Sequence, residues 1–181
     1  MHLVRSGEQA ETYDPTCRFC RWMTDPSQIE KDNVKGRLLS KRGHFMVILD
    51  SYPKITGHTL VISKKHYKDI TAVPDSKARS LGYTLSKTSK LLKEGLGAEK
   101  VYLMSMCEQW EPKEIKPDWK EGDEPPLHTE HLHFHLLPRY KKMRTKETAQ
   151  ESVFTRPPDY RCTPKMLESV RREIKRRKKH D

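Results

Sequence analysis

The stretch HTEHLHFHLLPRY, residues 128–140, places His131, His133 and His135 at every second position, with Leu132, Phe134 and Leu136 between and after them. Successive side chains of an extended strand point to opposite faces, so the three imidazoles share one face and the apolar set the other. The apolar set fills a core and leaves the imidazoles along the floor of a cleft. Three like-facing histidines repel one another when charged, so at least one stays neutral near pH 7. A neutral imidazole is either a metal ligand or a nucleophile and proton carrier. Alternating histidine is an unusual way to build a merely structural strand. A second group, Cys17-x-x-Cys20, has the spacing of a zinc knuckle but supplies only half a tetrahedral shell. By itself it reads equally as a redox pair or as two buried thiols. Cys107 and Cys162 suggest no partner and read as ordinary thiols.

The elements that must position these residues follow from local pattern. Residues 36–67 read as strand, turn, strand, connection, strand: Arg42-Gly43-His44 makes the turn, Phe45 to Leu49 is β-rich, and Gly57 breaks the chain before Thr59 to Ser63. Asp75 is placed to cap a helix with the apolar stripe Ala78, Leu81, Leu85, Leu92 and Leu96, ended by Gly95 and Gly97. Lys100 to Cys107 reads as another strand. Residues 108–130 are acidic, Pro-rich and non-periodic, which fits a long surface loop, either a functional lid or slack chain. Trp110 and Trp119 within it either stack on a base or leaving group, or pin the loop. After Pro138 the chain turns basic. Residues 163–179 then suggest a helix, with Thr163 as cap, Pro164 at the first position and Met166, Leu167, Val170 and Ile174 as its stripe.

The whole chain has 181 residues, enough for one domain with a real core and too few for two full ones. The expected organisation is a flexible N-terminal segment (1–15), a compact domain (16–140) interrupted by the 108–130 loop, and a basic extension (141–181). Hydrophobic and charged residues each make up 34%, and the net charge is +11. That balance favours anionic partners such as nucleotides, phosphorylated metabolites or nucleic acid, or else simply a soluble basic surface. No apolar leader opens the sequence and no run approaches membrane-spanning length, so a cytoplasmic location with no membrane contact is expected, nuclear if the source has a nucleus.

Together, His131-Leu-His133-Phe-His135-Leu-Leu and the following Pro138-Arg139 resemble the histidine-triad (HIT) family of nucleotide hydrolases and transferases. The segment LDSYPKITGHTLVISKKH is similar to that family's strand-loop-strand, with Asp50, Pro53, Gly57 and His58 at matching separations; Thr56 stands where Pro is usual. The resemblance covers roughly Cys17 to Arg139. It implies an α+β, HIT-like fold: a mainly antiparallel sheet of about five strands with the long helix packed on it, plus the C-terminal basic helix. It also implies that small members pair as homodimers across the helix and a sheet edge.

By that resemblance His133 is the nucleophile that attacks the α-phosphorus, forming a nucleotidyl-imidazole that water resolves. His135 binds phosphate oxygens as charge develops there. The backbone carbonyl of His58 fixes the nucleophile's tautomer, and Asp50 takes the ribose hydroxyls. Histidine rather than glutamine at the third position favours hydrolysis over transfer. In a zinc-containing subset, Cys17 and Cys20 join His66 and His131 in a structural Cys2His2 zinc site. His128 is a rival ligand or an additional phosphate contact. The expected activity is hydrolysis of a nucleoside phosphoramidate or dinucleoside polyphosphate to a nucleoside monophosphate. Alternatives are a nucleotidyltransferase or phosphorylase, or an aprataxin-like deadenylase on 5′-adenylated nucleic acid gripped by the basic tail. No second Cys/His cluster after the triad favours the latter. A non-enzymatic nucleotide- or nucleic-acid-binding module is the remaining class. The basic end, Lys175 to Lys179, reads equally as a solvated helix end. The loop at 108–130 replaces the family's short Gly- and Asn-containing loop, so leaving-group contacts do not carry over.

Overall fold

The computed structural model describes residues 13–30, 37–41, 43–50, 53–105, 107 and 130–141, with Glu168, Arg172 and Arg176 beyond them. The elements run α1 (Arg18–Thr24), a 3-10 turn (Pro26–Glu30), β1 (Leu38–Ser40), β2 (Phe45–Leu49), β3 (Thr59–Ser63), a second 3-10 turn (Ile70–Ala72), α2 (Asp75–Leu96), β4 (Lys100–Met104) and β5 (His133–Arg139). The five strands form one sheet in the order β1-β2-β3-β5-β4, every neighbouring pair antiparallel.

Strand alternation divides the core in two. Phe45, Val47, Val61, Phe134 and Leu136 point to one face, where Leu81 and Leu92 of α2 are buried against them with Leu85 and Leu96. Met46, Ile48, Leu60 and Ile62 point to the other, against Phe19 and Trp22 of α1 and Ile29 of the 3-10 turn. Covered on both sides, β2 and β3 are buried along their whole length, which is why Phe45–Leu49 and Leu60–Ile62 read as apolar runs without alternation. In the register His133 stands opposite Ile62 and His135 opposite Leu60. Cross-strand partners share a face, so both histidines lie on the α1 side and α2 supports the sheet from behind.

The helix α2 departs from the sequence reading in two details. Pro74 occupies the cap position and makes no side-chain cap bond, so Asp75 sits in the first turn, where its charge suits the helix dipole. Ala78 is exposed and Thr88 is buried instead: the stripe starts one turn later than the apolar spacing suggests. Gly97 ends the helix in the left-handed conformation, at φ 68°. Gly57, at φ 81°, is required more strictly, because a Cβ there would stand 2.3 Å from Leu96 Cδ1 and 3.2 Å from Pro138 Cγ.

Two strands differ from expectation. β4 stops at Met104 rather than Cys107, and β5 begins at His133, leaving His131 in a bend before it. There Leu132 donates to Tyr67 O and accepts from Ser63 N, so residues 131–132 pair with the turn that follows β3. The loop at 108–129, most of the segment at 1–15 and most of the C-terminal helix at 163–179 lie outside the described residues. Glu168, Arg172 and Arg176 are helical and exposed. Among the described residues no helix is long and apolar enough to cross a membrane.

Candidate active site

Cys17 is the residue before α1 and Cys20 lies in its first turn; both are buried. His66 follows β3 and His131 precedes β5, also buried. Their donor atoms converge. Cys17 Sγ lies 3.3 Å from His131 Nδ1, Cys20 Sγ lies 3.3 Å from His66 Nδ1, and Cys20 Sγ lies 3.6 Å from His131 Nδ1. All four donors fall within 4.8 Å of one another.

These separations fit a metal centre. Ligands on a tetrahedral ion with metal–sulfur and metal–nitrogen bonds of usual length stand roughly 3.3–3.8 Å apart. The outer contact is also right: His131 Nε2 donates to Ser63 O at 2.8 Å, which leaves Nδ1 as the lone-pair nitrogen on the sulfur side. Burial pushes the His131 imidazole down to about 4, so it is neutral at pH 7, and pushes the Cys20 thiol up to about 12.

His131 also acts through its backbone. Its carbonyl oxygen lies 2.6 Å from His133 Nδ1. A carbonyl only accepts, so Nδ1 carries the hydrogen and Nε2 of the neutral His133 ring keeps its lone pair. The sequence reading assigned this task to the carbonyl of His58. That carbonyl instead accepts from Asp50 N at 3.0 Å, closing the β2–β3 connection. The His131 carbonyl belongs to the bend just before β5. Ser105 Oγ donates to His133 O at 2.8 Å and steadies the strand from the β4 side.

A second group links Asp50, His58 and His135. His58 Nε2 lies 2.9 Å from His135 Nδ1, and His58 Nδ1 lies 3.3 Å from Asp50 Oδ2 and 3.2 Å from Lys54 N. His58 is 1% exposed, and its ring stacks on that of His135. Both ring nitrogens of His58 therefore have partners, which suits a hydrogen-bonded chain better than three ligands around one ion. The Nδ1 position either accepts from the Lys54 amide or donates to the Asp50 carboxylate. The first choice puts the shared hydrogen on His58 Nε2 and makes Nε2 the hydrogen-bearing nitrogen of a neutral His135. The second puts it on His135 Nδ1 and leaves His135 Nε2 as a base. Tyr140 Oη fixes the loop by donating to Thr56 O at 2.8 Å.

The fold thus brings Cys17, Cys20, His66 and His131 together in one group and Asp50, His58 and His135 in another, with His133 beside both. His128 lies outside the described residues. Sequence reasoning missed Phe19, whose ring meets His131 and His133 edge-on; the signal available was its place between the two cysteines. It also missed Ser63, which acts through its backbone and leaves no sequence signal.

Known proteins share this arrangement of elements. An uncharacterised HIT-like protein of Methanocaldococcus jannaschii is 26% identical over 125 residues, covering 69% of this chain and 80% of its own. A zinc-bound histidine triad family protein from Mycobacterium smegmatis superposes with a TM-score of 0.59 at 20% identity, covering 92% of this chain and 98% of that one. A HIT-like protein from Bartonella henselae superposes with a TM-score of 0.57 at 18% identity, covering 91% and 98%. The HIT domain family model matches residues 31–142, more than half of the sequence, and the chain belongs to that family of nucleotide hydrolases and transferases.

Proposed function

We propose that this chain is a nucleotide hydrolase acting on a nucleoside phosphoramidate or a dinucleoside polyphosphate. The observation that carries the reading is the 2.6 Å contact between His133 Nδ1 and the His131 carbonyl, because it fixes the tautomer whose Nε2 is nucleophilic. His133 Nε2 attacks the α-phosphorus; the new P–N bond forms as the bond to the leaving group breaks. The His58–His135 pair carries one extra proton opposite the Asp50 carboxylate. His135 Nε2 gives its proton to the leaving group as His58 Nε2 passes its hydrogen to His135 Nδ1, which leaves both rings neutral, His58 Nδ1–H on Asp50 and His135 Nε2 as a base. Water, deprotonated by His135, then cleaves the P–N bond and releases the nucleoside monophosphate. Asp50 takes the ribose hydroxyls, with its contact to His58 setting its rotamer.

Zinc held by Cys17, Cys20, His66 and His131 is structural in this reading, since four protein donors fill a tetrahedral shell. Pairing of two copies through the exposed edge of β4 is supported by Tyr102 and Leu103, which are 37% and 49% exposed. Sedimentation tests it, and a monomer at assay concentration contradicts it. The activity is tested by product release from an adenosine phosphoramidate, diadenosine tetraphosphate, a guanosine analogue and a 5′-adenylated DNA, with wild type and His133→Asn side by side. Nucleoside monophosphate from wild type alone supports the reading. If both proteins are inert on all four, hydrolysis is the wrong reaction, and a binding role or a missing acceptor takes its place.

A further inference from the structure

Phe19 lies between the two cysteines of the metal-binding group, in the first turn of α1, and is 3% exposed. Its ring centroid stands 5.0 Å from that of His133 at an interplanar angle of 68°, and 5.5 Å from that of His131 at 85°. These are edge-to-face contacts at favourable separation. The backbone bond to Nδ1 restrains one atom of the His133 ring; its tilt is set by ring contacts, the Phe19 edge and the His135 ring, whose centroid is also 5.0 Å away at 63°. What holds Phe19 is equally specific. Cys17 on one side reaches His131, Cys20 on the other reaches His66, and Trp22, 2% exposed, packs on the ring at 5.2 Å. A helix of seven residues has little stability of its own, so these anchors set where the ring sits.

We infer that Phe19 is a positioning residue for His133, and that the cysteines flanking it make the setting of the His133 ring depend on the integrity of the Cys/His group. This rests on the reading of His133 as the nucleophile.

The test is Phe19→Leu in the full, metal-loaded chain, which keeps an apolar side chain and removes the aromatic edge. Zinc per chain should match wild type. KM should change by less than about twofold while kcat falls roughly three- to tenfold, the size expected for losing an aromatic pair that acts on the reacting group rather than on binding. The 15N signals of the His133 ring supply a second readout. Wild type should show a single tautomer with hydrogen on Nδ1; Phe19→Leu and zinc-stripped wild type should both show averaging between the two nitrogens. Unchanged kcat with unchanged His133 signals in Phe19→Leu would overturn the inference. So would a stripped, folded wild type that keeps the single tautomer; where the stripped chain unfolds, the loaded variant decides. If wild type turns over no substrate, the hydrolase reading fails separately and the ring signals still decide this one.

Discussion

Asp50→Asn separates two roles for the same carboxylate. Asp50 Oδ2 and His58 Nδ1 stand 3.3 Å apart, with side-chain exposures of 10% and 1%. At an effective dielectric of about 20, a unit negative charge at that distance from a protonated imidazole is worth roughly 5 kcal/mol before desolvation. The net value of hydrogen bonds to charged groups is about 1.5–3 kcal/mol. Asparagine keeps the shape and removes the charge, so a proton carried by the His58–His135 pair loses that support. The expected fall in kcat is about 10- to 100-fold, since each 1.4 kcal/mol is a factor of ten. The assay is single-turnover release of nucleoside monophosphate from matched ribo- and 2′,3′-dideoxy substrates. If Asp50 works mainly through His58, the penalty persists with the dideoxy substrate. A penalty that vanishes with the dideoxy substrate, or a kcat within about twofold of wild type on both, refutes the proton chain.

Two further outcomes follow from the geometry. Gly57→Ala should destabilise the chain by about 2–4 kcal/mol, combining a left-handed backbone penalty with crowding against Leu96 and Pro138. The Leu96 tip can swing aside, whereas the Pro138 ring is fixed in β5. Urea unfolding at constant m reads this, and a loss under about 1 kcal/mol would mean that the loop before His58 yields. Zinc affinity of the metal-free chain should rise with pH. The Cys20 thiol, raised to about 12 by burial, must lose its proton on binding, whereas His131, lowered to about 4, is already neutral. The sign is therefore tighter binding as pH rises, by at least roughly tenfold per unit between about pH 6.5 and 8.5. Competition against a chromophoric chelator measures it, and a flat profile contradicts it.

The sheet and its two faces were legible because side-chain alternation is a local property. His133 and His135 fall on the α1 face and Phe134 and Leu136 on the α2 face, as their spacing requires. The departure of His131 from the strand was not legible, since it depends on where Leu132 finds backbone partners, in the turn at Ser63 and Tyr67. Nor was α1: seven residues give too little periodicity to identify a helix, and no side chain caps its start. Its place comes from contacts made more than a hundred residues away in sequence. The approach of Asp50 to His58 was hidden for a similar reason. Both positions stood out, but a β2–β3 connection that folds back to join them is set by Gly57 at positive φ and by the Tyr140 hydroxyl on Thr56. The acceptor is the Thr56 backbone carbonyl, which the proline usual in the family would offer as well.

In the proposed mechanism His133 becomes covalently attached to the nucleotide. Acid-sensitive phosphoramidates survive an alkaline quench, so the most direct measurement is peptide mass spectrometry of enzyme quenched in base during turnover of the best substrate. A nucleoside-monophosphate mass increase is expected on the peptide carrying His133, lost on brief acid treatment and absent in His133→Asn. Turnover with the adduct on another residue, or undiminished turnover by His133→Asn, would contradict it.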